Sequence, residues 1–84
     1  MTTTFLLEPQ YDSAKSFYRK AQVINKEGIT QLQSYSTIVA EIKNNKAHIF
    51  GTYSQTTLRH LKEFLRQQGF KAETKKQIEQ DYLK

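Results

Sequence analysis

Two adjacent asparagines, Asn44 and Asn45, separate two short runs whose hydrophobic alternation agrees only when they fold onto each other. Asparagine tolerates the positive φ that a two-residue hairpin turn requires, so the pair reads as that turn. Ile42 then faces Ala47, Ala40 faces Ile49 and Ile38 faces Gly51, all on one apolar face. The opposite face is mixed, with Glu41 against His48, Val39 against Phe50 and Thr37 against Thr52. A slip of one residue would scatter both sets, so the register is well specified. The following residues supply a cover for the apolar face. Leu58, Leu61, Phe64 and Leu65 recur at helical spacing, Ser54 or Thr56 is placed to cap the helix start, and Gly69 is placed to end it. Residues 34–70 thus read as a β-hairpin running into an amphipathic helix.

The flanks attach to this unit with weaker signals. Residues 1–12 hold a short apolar run, Phe5 to Leu7, and the only proline, Pro9; they read as an edge strand or a packed arm. Residues 16–24 alternate in a β-branched and aromatic pattern that favours a strand, residues 25–28 a turn, and residues 29–35 a second strand. Past Gly69, Phe70 is expected to fold back on the helix, and Thr74 with Gln77 resembles a capping box that opens a short helix over residues 74–84. The expected core is Ile38, Ala40, Ile42, Ile49, Leu58, Leu61, Phe64, Leu65 and Phe70. The sum is one α+β domain over residues 1–84: a small antiparallel sheet of three to five strands, one main helix on one face and a short C-terminal helix. A chain of 84 residues buries only about 60 to 65% of its unfolded surface, so this is one modest core.

Composition excludes several classes. Without cysteine there is no disulfide, no Cys-ligated zinc and no iron–sulfur site, and no other metal or cofactor motif is present. No stretch approaches the roughly 20 apolar residues of a membrane span, and Met1 to Leu7 reads as too short and uncharged for a signal peptide, so a cytoplasmic protein is expected. The net charge is +5, and its placement matters more than its size. Up to Ile42, cations and carboxylates balance; over residues 43–71 the cations Lys43, Lys46, Arg59, Lys62, Arg66 and Lys71 face Glu63 alone. Such a concentration suits a polyanion, because each phosphate neutralised releases condensed counterions. It also suits plain solubility, with Glu63 pairing along the helix to Arg59 and Arg66.

Three groupings carry the functional expectation. Arg59, Lys62 and Arg66 fall on one flank of the helix and, with Lys43 and Lys46 of the hairpin, form the expected nucleic-acid or anion contacts. Tyr35, Thr37, Tyr53, Ser54, Thr56 and His60 form a hydroxyl corner where the hairpin ends and the helix starts, a place suited to an anion or, more simply, to helix capping. Phe50 and Val39, with Tyr18 or Phe17 near Lys20 and His48, would form a sheet face that stacks bases, buries as core, or docks a second copy of the chain. No catalytic residues are assigned, because His48 and His60 have no signal that they meet and no nucleophile elbow or phosphate loop is present. A non-enzymatic binding module is expected, with nucleic acid favoured and a host protein as the alternative partner.

One run is more specific than the rest. Ser34-Tyr35-Ser36-Thr37, Val39-Ala40, the stretch from Gly51 through Tyr53-Ser54-Gln55-Thr56-Thr57-Leu58-Arg59-His60, then Glu63-Phe64-Leu65 and Gly69-Phe70 resemble a family of small proteins of unknown function. Those proteins are encoded by phages, plasmids and other mobile elements of Gram-positive bacteria. The resemblance covers residues 16–70 and implies a genetic setting rather than a mechanism; the alternative, protein-binding reading, for example an inhibitor of a host defence nuclease, would use the tyrosine-rich corner and the exposed sheet face.

Overall fold

The computed structural model describes residues 2–13 and 15–83; Met1 of the expected arm and Lys84 of the expected last helix lie outside them, as does Ala14. Five strands, β1 (Thr2–Leu6), β2 (Ala21–Lys26), β3 (Ile29–Ser34), β4 (Thr37–Lys43) and β5 (Lys46–Ile49), precede two helices, α1 (Gln55–Gln67) and α2 (Lys75–Tyr82). The strands form one antiparallel meander in chain order. This is the expected α+β architecture.

The turns set the sheet. Asn44 and Asn45 both take positive φ, 54° and 61°, and close β4 onto β5 with Ala40↔Ile49, Glu41↔His48 and Ile42↔Ala47 in the expected pairing. Glu27 and Gly28 close β2 onto β3 in the same way, and Tyr35, at a φ of 58°, turns β3 into β4. One row, Val23, Leu32, Ala40 and Ile49, runs across four strands with every member essentially inaccessible. α1 lies over this row and buries Leu58, Leu61, Phe64 and Leu65 on it. At about 1.5 to 3 kcal/mol for each large apolar side chain withdrawn from water, this seam outweighs any surface polar contact in the molecule.

Four expectations fail for identifiable reasons. β3 and β4 shift register between Leu32 and Gln33, so Leu32 opposes Ala40 while Gln33 opposes Ile38. The extra residue is Val39, and it turns into the core beside Ala40 rather than onto the mixed face. The hairpin therefore ends early: the Phe50 N–H donates to the Val39 carbonyl, β5 stops at Ile49, and Thr37 opposes Ser34 instead of Thr52. Ile38 is only half-buried and stands outside the core that Leu7, Phe17, Ala21, Val23, Leu32, Ala47, Ala72 and Ile78 join. The strand expected over residues 16–24 starts at Ala21, because Tyr18 and Arg19 take φ of 53° and 64° and form a turn.

The helix ends behave as their sequences dictate. Ser54 caps α1 through its side chain. At the other end Gly69 takes a φ of 89°, its N–H donates to Arg66 O, and the Phe70 N–H donates to Leu65 O at 2.8 Å, which brings Phe70 back along the helix. Thr74 caps α2 by accepting from the Gln77 N–H at 3.1 Å, while the Gln77 side chain accepts from Glu73 N–H rather than Thr74 N–H, so the capping box is displaced by one residue. Leu83 then bridges in parallel to Ile49 on the outer side of β5.

Candidate functional site

The outer surface of α1 is defined by how the N-terminal arm is tied to it. Glu63 is buried and, among the described residues, has no cationic partner: its Oε1 accepts the backbone N–H groups of Tyr11 and Asp12 at 2.9 and 3.0 Å, and its Oε2 accepts from Gln67 Nε2. The same Gln67 amide donates to Glu8 O at 2.8 Å. Glu63 therefore does not pair with Arg59 or Arg66, as its sequence spacing suggested. Arg59 instead forms a two-pronged contact with Asp12, its Nε donating at 3.0 Å, and that hydrogen bond and charge raise the guanidinium pKa further. Arg66 Nε donates to Ala72 O at 2.7 Å. Arg59, Lys62 and Arg66 do share one flank, lining a cleft of about 690 Å³ with Tyr11, Asp12 and Glu63.

The hydroxyl corner divides. His60 is buried and its Nδ1 lies 2.8 Å from Ser34 Oγ, which in turn lies 3.2 Å from Thr57 Oγ1. The Phe17 ring meets the imidazole edge-on at 4.7 Å, and Tyr35 covers it at 5.9 Å. Burial first, and Arg59 second, hold the His60 pKa below its ordinary value, with Asp12 opposing. The ring is thus a neutral internal polar group. A serine 2.8 Å from a histidine has the reach of a nucleophile and base, but Ser34 is 2% exposed and its hydroxyl is shared with Thr57. Tyr53 packs against the core, and burial raises its hydroxyl pKa. Thr37 is exposed at the start of β4 and Ser54 caps α1.

What remains of the corner joins residues from the arm. Tyr35, Thr56, Arg59 and His60 line a second cleft, about 500 Å³, with Lys15, Phe17, Tyr18 and Lys20. Tyr18 and Lys20 were expected near each other on the sheet face; they lie instead in the turn leading into β2, and His48 is elsewhere, opposite Glu41. The two clefts meet at Arg59. Lys43 and Lys46 face each other across the distal hairpin, and Lys46 lines a third cleft beside α2 with His48, Phe70 and Tyr82, apart from the α1 cations. Ser34 and Lys15 carried no sequence signal as site residues, since their roles depend on contacts more than 20 residues away in the chain. Among the described residues no group of three or more His, Asp or Glu gathers to hold a metal ion, and no helix is long and apolar enough to cross a membrane.

A family model for a family of unknown function, DUF8033, matches residues 5–80, so the chain belongs to that family. The match extends past residues 16–70 on both sides and takes in the arm and α2. No curated protein and no solved structure matches the chain.

Proposed function

We propose that this member of the family is a non-enzymatic nucleic-acid-binding module that meets the phosphate backbone with the outer surface of α1 and the turn before β2. The observation that carries the reading is the junction of the two clefts at Arg59, which joins Lys15, Lys20, Arg59, Lys62 and Arg66 in one basic tract. The carboxylates beside it are already engaged, Asp12 by Arg59 and Glu63 by backbone N–H groups. Among the described residues Lys15, Lys20 and Lys62 have no ion pair, so phosphate contact there breaks none. Lys43 and Lys46 stand apart and add a contact only for a longer ligand. The resemblance supports a setting in the cytoplasm of a Gram-positive host, on a phage or plasmid.

The test is binding of labelled single- and double-stranded oligonucleotides at about 50 and 200 mM salt. Wild type is expected to bind at the lower salt and weaken steeply at the higher. A Lys15→Ala, Lys20→Ala, Lys62→Ala variant should bind more weakly, with the salt slope reduced by about one for each phosphate that the variant no longer neutralises. Absence of binding at low salt refutes the reading. The exposure of Tyr18 and Tyr35, 77% and 52%, favours a second one, a protein-binding module such as an inhibitor of a host defence nuclease. Its affinity for a partner should change little over the same salt range.

A further inference from the structure

We infer that the second cleft seats an unpaired nucleobase against Tyr18 and Tyr35, which makes the preferred ligand a single strand rather than a duplex. This deepens the nucleic-acid reading and rests on it. The cleft's volume of about 500 Å³ lies within the range of small-molecule sites in general, roughly 300 to 1,000 Å³. Its lining combines aromatic rings with Lys15, Lys20 and Arg59; among the described residues no carboxylate lines it, and Asp12 meets it only through its pair with Arg59. That pairing of π-faces with cations is what a base and its phosphate require together.

The Tyr35 ring is held in place before any ligand arrives, and the backbone fixes where Tyr18 leaves the chain. Tyr18 sits in the turn entering β2 and Tyr35 in the β3–β4 turn, and the two turns are joined by the Tyr35 N–H donating to Lys20 O at 2.6 Å. Tyr35 leans on His60, which Ser34 fixes in turn, and Lys20 Nζ stands 6.0 Å from the Tyr35 ring centre. Tyr18, Arg19 and Tyr35 all take positive φ, a conformation that bulky side chains rarely adopt. The fold thus leaves two large rings exposed, at a backbone conformation each would avoid, in the lining of one basic cleft. A duplex keeps its base faces stacked internally and would touch only the cations. A single strand offers both phosphates and faces.

The experiment compares four probes of equal length: a thymidine strand, a uridine strand, an abasic DNA strand and a DNA duplex. The variants are Tyr18→Asn with Tyr35→Asn, since asparagine removes the ring and tolerates positive φ, and Tyr18→Phe with Tyr35→Phe, which keeps the ring. Wild type should bind the thymidine or uridine strand more tightly than the abasic strand. The asparagine variant should lose about 5- to 150-fold for each base unstacked, with an unchanged salt slope, and bind the abasic strand and duplex as wild type does. The phenylalanine variant should retain wild-type affinity. If the asparagine variant binds every probe like wild type while the lysine variant does not, base seating is refuted and the basic tract stands. If wild type binds none of the probes at low salt, both readings fall.

Discussion

Replacing Glu63 tests whether the outer surface of α1 is shaped by the clamp on the N-terminal arm. The Glu63 carboxylate accepts three hydrogen bonds, two from backbone N–H groups of the arm and one from Gln67. Bonds to an ionised acceptor contribute about 1.5 to 3 kcal/mol each, but the arm donors are only part-buried and water takes up some of the loss. Glu63→Ala should therefore destabilise by about 3 to 5 kcal/mol, short of the full sum. Glu63→Gln leaves a subtler defect. Gln67 Nε2 already donates to Glu8 O, and against a glutamine amide it must give up one of its two partners whenever a nitrogen faces it, so about 1 to 2 kcal/mol is expected. In urea unfolding the alanine midpoint should fall with an unchanged slope, and the melting temperature should fall by about 4 to 8 °C per kcal/mol for a domain of this size. Amide exchange at Tyr11 and Asp12 should accelerate ahead of the sheet. If Glu63→Ala lies within about 0.5 kcal/mol of wild type and both amides stay protected, the clamp is not what holds the arm.

Two further outcomes follow from single groups. Burial keeps the folded pKa of His60 below its ordinary value of 6.5, so its contribution is complete above that value and is lost as the pH falls through the folded one; urea midpoints taken between about pH 7 and pH 5 should drop in wild type and drop less in His60→Asn, which keeps a polar atom near Ser34. Gly69→Ala should cost about 1 kcal/mol, read as a melting temperature lower by about 4 to 8 °C, because the site has open space and only the φ of 89° opposes a side chain; an unchanged melting temperature would show that the C-terminal turn of α1 relaxes freely.

Local chemistry carried the parts of the fold that repeat at short range. The Asn44-Asn45 turn fixed its hairpin because only one pairing put Ala40, Ile42, Ala47 and Ile49 together, and α1 announced itself by Leu58, Leu61, Phe64 and Leu65 with a serine before and a glycine after. The bulge at Val39 was hidden because a valine suits either sheet face; the choice belongs to β3, which opposes Leu32 to Ala40 and Gln33 to Ile38. Phe17 and Tyr18 kept a strand-like alternation while their backbone turned, since alternation reports side-chain type and says nothing of φ.

The site divides along the same line. Residue types and spacing determined that a basic flank exists on α1 and that hydroxyl and aromatic residues crowd its start. Which of these are available was decided in three dimensions: Asp12 reaches Arg59 across 47 positions, Glu63 turns inward to the arm rather than along its helix, and His60 is drawn under Phe17 and Tyr35 to meet Ser34. Those partners come from parts of the chain whose approach depends on how the arm closes against α1. A sequence specifies such groups by type, and only packing specifies which of them are spent on each other and which, as with Lys15, Tyr18 and Lys20, are left facing a cleft.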